Sequence, residues 1–415
     1  MDVAQGLSSA LARLGVAGVV GDPLGDLEVW AEHDTVLARL LGDCQGRLGP
    51  SLGASRIGRR LRLSDQPGHE VTPRKVSDID GLETILGAIG LAPMHTTWDI
   101  DLDLDLDAPL DRELQLGGLP SRAPSSLDPS LAEIHPLLLV GPGVVRSGYV
   151  DALRRAAGRL GLGVLNTYGA KGVLEWDDPA HHGTIGIQEG DRRLSGLDAA
   201  QLVVASGLDP LELDVSDLAF VLDVPPAELE ALAARWPEPT APPPPPELYR
   251  VLSGDLAPHY ESDSVPLHPA RAANDLAGSL PPGALIAADG GAVGAWVARC
   301  LPTREPGSVV VPATSVPGVS VALAAVAERQ GRPALAITDA PNCDLVVELL
   351  SRSSAAGTDL RVMSWGAEGE LAQAEDHRRG LDALWASPGA RCVPVPVELS
   401  AAGLESGGEI CAWTS

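Results

Sequence analysis

The sequence predicts an α/β fold of doubly wound parallel sheets, and two observations carry the prediction. Between residues 134 and 236, short apolar runs alternate with helical periodicity, and glycine closes the runs. Residues 135–140 (HPLLLV) meet Gly141-Pro142-Gly143, and residues 201–206 (QLVVAS) meet Gly207. Strands buried on both faces read as continuous apolar runs, and right-handed crossovers place helices on both sides of the sheet. The same strand–helix alternation returns after residue 267, so the pattern is repeated along the chain. At 415 residues there is room for two or three domains, each with its own core.

Composition narrows the function classes. Apolar residues make up 45%, yet the chain has one Phe and four Tyr, so its cores must be built from Leu, Val, Ala and Ile. A formal charge of −26 argues against nucleic acid and anionic membrane surfaces, which both demand basic patches. Cys44, Cys300, Cys343, Cys392 and Cys411 show neither CxxC nor zinc spacing. No signal-peptide pattern and no membrane-length apolar run is present, which leads us to expect a cytoplasmic protein with reduced thiols. There are two lysines, Lys75 and Lys171.

In chain order, residues 5–14 read as an amphipathic helix with Leu7, Leu11 and Leu14 on one face. A strand at 16–20 and a tight turn at 21–25 follow. Residues 59–73 read as a polar, arginine-bearing loop, and 76–86 as a helix capped by Ser77. In residues 97–107 strict alternation places Ile100, Leu102, Leu104 and Leu106 on one strand face. The other face carries Asp99, Asp101, Asp103, Asp105 and Asp107, which reads as solvated, since no glycine-turned loop supports calcium. Residues 1–107 form a first domain, 108–133 a linker and 134–236 a central domain. The tract 237–266 is a Pro-rich linker, more a stiff spacer than a polyproline ligand, and 267–415 a third domain. In the central domain Leu153, Ala156, Ala157 and Leu160 share a helix face. In the third, helices at 269–280 and 319–329 alternate with strands at 284–289, 333–339 and 360–363.

Three pieces of the central domain, in order, carry a family resemblance. They are Val140-Gly-Pro-Gly-Val-Val-Arg-Ser-Gly148, Gly169-Ala-Lys-Gly-Val-Leu174 and Asp178-Pro-Ala-His-His-Gly-Thr-Ile-Gly186. Together they resemble the central domain of thiamine-diphosphate enzymes of the acetolactate synthase type. The resemblance implies three Rossmann-like domains, the first shortened here, and marks Gly141, Gly143, Lys171 and Gly207 as candidates for an FAD or ADP site. It also implies a catalytic glutamate delivered by a strand of the first domain, and Asp43-Cys-Gln-Gly46 with Gly53-Ala-Ser-Arg56 puts Cys44 at that position. A thiol is a poor substitute for a carboxylate, and an ordinary packing role competes for Cys44. In the third domain the resemblance implies a Gly-Asp-Gly turn and an asparagine pair holding the diphosphate through Mg²⁺. Here Thr338-Asp339-Ala340 and Ser364-Trp365-Gly366 stand there, so Asp339 is what remains of the metal turn.

Other catalytic signatures are missing: no P-loop, no GxSxG and no HExxH occurs. Gly141-Pro142-Gly143 lacks the full dinucleotide spacing, and adjacent His181 and His182 point to opposite sides of an extended segment. Two classes follow. One is a non-catalytic homologue acting as a structural or regulatory subunit, possessing degenerate cofactor sites. The other is an enzyme of the 2-oxo acid lyase or transferase type with altered cofactor use, or completed by a partner chain. The resemblance also implies assembly, because the family builds its cofactor sites between the first domain of one subunit and the third of another. The apolar stretch 319–329 leads us to expect a homodimer with Ala322 or Ala325 at its border; burial inside its own layer is the alternative.

Overall fold

The computed structural model describes residues 1–91, 94–116, 136–218, 220–236, 247–401 and 403–413. The proline tract at 237–246 and most of the 108–133 segment lie outside these residues. The chain divides into two compact units, Met1–Pro124 and Ser125–Ser415.

The first unit runs α1 (Val3–Arg13), β1 (Gly18–Gly21), β2 (Glu28–Trp30), α2 (Thr35–Leu48), β3 (Gly53–Ile57), β4 (Arg60–Ser64), β5 (Arg74–Val76), α3 (Ile79–Leu91) and β6 (Thr97–Leu102). Its six-stranded sheet has the order β2-β1-β3-β4-β6-β5, with β4 antiparallel to both neighbours and the other pairings parallel. The stretch expected as a polar loop is therefore a strand over Arg60–Ser64. Its alternation explains why: Leu61 and Leu63 are fully buried, while Arg60 and Arg62 stand opposite Asp101 and Asp99 of β6. Opposite charges on one face and apolar pairs on the other fix the same register. The aspartate face is accordingly ion-paired, with Asp99 near Arg39 and Arg60, and Asp103 contacting Arg59 and Lys75. Arg62 also grips Asp43 of α2 with two bonds of 2.8 Å, both side chains buried.

Two more corrections are local. α3 is capped by Asp78, whose carboxylate accepts the Gly81 N–H at 2.7 Å, rather than by Ser77. β6 ends at Leu102; Leu104 and Leu106 lie beyond the strand yet still pack on the core, as do Leu110 and Leu114.

The second unit holds two five-stranded, wholly parallel sheets. The first sheet comprises β7 (Leu137–Val140), α4 (Pro142–Arg146), α5 (Val150–Leu160), β8 (Val164–Thr167), β9 (His181–Ile185), α6 (Asp191–Leu194), β10 (Val203–Ser206), β11 (Val221–Asp223) and α7 (Leu229–Arg235). Its order is β11-β10-β7-β8-β9. The second comprises α8 (Glu247–Leu256), α9 (Pro269–Ser279), β12 (Leu285–Ala288), α10 (Ala292–Cys300), β13 (Val309–Val310), α11 (Val319–Arg329), β14 (Ala334–Thr338), α12 (Asp344–Ala356), β15 (Leu360–Trp365), α13 (Glu375–Ala386) and β16 (Ala390–Val395), in the order β13-β12-β14-β15-β16. In each sheet the strand order reverses direction at one place, between β7 and β10 and between β12 and β14. Open α/β sheets bind ligands beyond the carboxyl ends of their strands at such switch points.

The small apolar helix α11 packs beneath its own sheet, with Ala322 fully buried and Ala325 half-buried. Its apolar faces are covered inside the layer, so the feature that suggested Ala322 as a border with a second copy is satisfied within the chain.

One buried ion pair ties the two sheets. Arg299, at the end of α10, donates to Asp191 at 2.7 Å and to the carbonyl of Thr184 in β9 at 2.7 Å. Asp191 also accepts the N–H groups of Ile187 and Gln188, and both ion-pair side chains are almost wholly enclosed. Removing one member of such a pair strands its partner's charge. The variant Asp191→Ala should therefore lose about 3–5 kcal/mol of stability, read as a lower urea midpoint. A loss within the ordinary surface range of about 0.5 kcal/mol would show that the tie contributes little.

Candidate functional sites at the strand ends

At the switch point of the central sheet the structure brings together Gly141, Gly143 and Gly207, three of the four sequence candidates. They meet as backbone against backbone. A Cβ on Gly141 would fall 2.3 Å from the Gly207 carbonyl oxygen, and Gly207 takes the left-handed φ of 60°. The N–H groups here are engaged: Gly141 donates to Ser206, Gly143 to Gly207 and Val144 to Gly141, while Pro142 has none to offer. A pyrophosphate requires free N–H groups at such a turn. This interlocked turn does not fit FAD or ADP, and the glycines serve chain packing.

Lys171, the fourth candidate, comes just after the turn Tyr168–Ala170 that follows β8, and it lines a cavity that includes none of the three glycines. Its side chain is 6% exposed and no hydrogen-bond acceptor or carboxylate among the described residues engages it. Burial pushes its ammonium down to about 8, and the nearby Arg299 adds to the effect. Burial, with Lys171 second, likewise holds the His181 imidazole down at about 4, so it is neutral at physiological pH. His182 faces away from His181 and packs over Gly163, where a Cβ would overlap its ring. No group of three metal-binding side chains occurs among the described residues.

At the switch point of the third sheet, Asp289 follows β12 and is 2% exposed. Its carboxylate accepts the N–H groups of Gly318 and Ser320 and the Thr338 hydroxyl, so it organises the start of α11 and the end of β14. Asp339, which the resemblance places in the metal turn, is exposed. Trp365, at the place where the resemblance implies an asparagine pair, ends β15 with no exposed surface. The last described residue, Trp413, returns to this crevice. Its indole donates to the Pro312 carbonyl at 2.8 Å and its ring lies 4.9 Å from that of Tyr168. A Cβ on Gly290 would fall 2.6 Å from the Trp413 ring. Mg²⁺ needs a near-octahedral set of oxygens, and two indoles with one lone carboxylate do not fit it or the diphosphate it would carry.

The first unit corrects the glutamate position. Cys44 does not stand at a strand end; it sits in α2, fully buried, where burial and then Asp43 push its thiol well above the usual range. Asp43-Cys-Gln-Gly46 is helix and Gly53-Ala-Ser-Arg56 is strand, so the matched pair spans two different elements. A buried carboxylate that does follow a strand is Glu32, two residues beyond β2. It is 5% exposed and accepts the N–H groups of His33 and Asp34 at 2.8 and 2.9 Å. Sequence reasoning missed it, although the adjacent Glu32-His33 pair just before the Asp34 helix cap was a usable signal.

A lysine with a lowered native value binds its proton more tightly when unfolded, so stability rises with pH between about 8 and the usual 10.5. Lys171→Met should therefore stabilise the protein at neutral pH, with the gain shrinking as pH climbs through that window. Melting temperatures of both proteins across this range check it, and a constant difference would contradict it.

Comparison with known proteins agrees with this geometry. The family model for the thiamine pyrophosphate enzyme central domain matches residues 132–222. A protein from Mycobacterium smegmatis classed with thiamin diphosphate-dependent enzymes superposes with a TM-score of 0.65 at 15% identity. Benzoylformate decarboxylase from Polynucleobacter necessarius gives 0.66 at 12% identity. Each match spans 96% of this chain and 99% of the other. Residues 132–222 thus match the central domain of thiamine pyrophosphate enzymes, and the chain as a whole has the fold of the two solved structures.

Proposed function

We propose that this protein is a non-catalytic member of the thiamine-diphosphate enzyme family, with a structural or regulatory role. The observation that carries the reading is that the protein's own Trp413 indole sits in the third-sheet crevice. Trp365 takes the place of oxygen ligands, and Trp413 rests against Gly290 at the strand end. Both Thr338 and Ala340 carry side chains where glycine would let phosphate approach the backbone.

Glu32 favours a second reading. A buried carboxylate after β2 is the group with which a pyrimidine-binding half would act, and it is present. On that reading the chain supplies a pyrimidine half to a partner chain of the same family whose diphosphate half is intact.

The two readings separate by calorimetry with thiamine diphosphate and Mg²⁺. The purified protein alone should show no binding in the micromolar range, and Trp413→Ala should not create any, because Trp365 and the altered turn persist. Micromolar binding that disappears in Asp339→Ala would overturn the first reading. Activity appearing on addition of an intact family member, and lost in Glu32→Gln, would establish the second.

A further inference from the structure

A cavity of about 660 Å³ opens between the edge strand β9 of the central sheet and α8, α9 and the end of α10. Its size is that of a small-molecule pocket. Of the strand-end residues considered above, it includes only Lys171 and His181. Leu252 and Leu256 of α8, with Ala277 and Leu280 at α9, make one wall apolar, and the half-open rim carries Trp176 and Tyr249. Lys171, Arg299 and Cys300 line the enclosed side.

The positive charges around this cavity are unequal. Arg299 is matched by Asp191, Arg378 donates to Asp275, and Arg304 at the surface meets Glu175 and Asp177. Lys171 has no such partner among the described residues. The chain's other lysine, the exposed Lys75, is paired with Asp103 at 2.6 Å. A buried ammonium without a counter-charge is costly, and lysines are rarely buried unless paired. The Cys300 thiol beside it does not serve as the partner, because burial pushes it up to about 12.

We propose that the cavity binds a small organic monocarboxylate, its carboxylate on the Lys171 ammonium and its apolar body against the α8–α9 wall. One unmatched positive charge calls for one negative charge; a dianionic phosphate ester would bring in a second that nothing neutralises. The leucine-lined wall favours an aliphatic or aromatic body over a sugar. This inference does not depend on whether the protein binds thiamine diphosphate.

Titration calorimetry and thermal shift on the full chain test it, using octanoate and 3-phenylpropanoate as probes and octanamide and inorganic phosphate as comparators. At least one acid should bind saturably and raise the melting temperature, with the amide and phosphate weaker by about tenfold or more. Lys171→Met should remain folded and lose that binding by a similar factor. Leu252→Trp, which keeps the ammonium and fills the wall, provides a second variant and should also lose it. The proposal is overturned by equal affinity for octanoate and octanamide, by undiminished acid binding in either folded variant, by tighter binding of phosphate, or by no saturable signal for either acid at millimolar concentration.

Discussion

Arg299 is the side chain on which the second unit turns. It leaves the end of α10 and crosses to the central sheet, where Thr184 and Asp191 accept its protons. Because Asp191 already holds the Ile187 and Gln188 N–H groups, the arginine docks on a loop that is itself fixed. The same crossing closes the floor of the cavity beside Lys171 and sets a second positive charge near that ammonium. Gly172 completes the approach: its φ is 90°, and a Cβ there would fall 2.7 Å from the Glu305 carbonyl oxygen. A charge pair, a glycine and an unmatched lysine are thus parts of one junction.

The crevices at the strand ends are closed by different means. In the central sheet, two glycine turns interlock and use up their own N–H groups. In the third sheet, the Trp413 indole takes the space against Gly290, and Asp289 turns inward to cap α11 rather than outward to a ligand. Both solutions leave the doubly wound scaffold intact, because the switch point is set by strand order and survives whatever fills it. In the first unit the strand-end carboxylate Glu32 persists.

The polar ladder of the first unit shows how much local pattern conveyed and where it was misread. The alternation in β6 was plain because five aspartates interleave with apolar residues. Its partner β4 carries the complementary pattern, arginine against leucine, but in a segment of five residues flanked by turns it looked like loop. Similarly, matching Cys44 by sequence spacing joined a helix to a strand. Spacing along the chain is blind to which element a residue occupies, and α2 is an element that a four-residue pattern does not reveal.

What the sequence by itself determined is the class and the order of the elements. The glycine-closed apolar runs, the helix over Val319–Arg329 and the central-domain motifs are properties of neighbouring residues, and backbone geometry enforces them locally. That Ala340 and Trp365 offer no oxygen side chain to a metal was legible for the same reason, since it holds whatever surrounds them. Only the tertiary structure decided which charges are matched. Lys171 reads as a nucleotide-site candidate in sequence, yet it faces a cavity whose walls come from helices far along the chain. Trp413 sits far along the chain from Gly290 and still fills the space against it. Burial and counter-charge are sums over everything that packs nearby, and packing partners brought together by parallel-sheet crossovers leave no trace in local spacing.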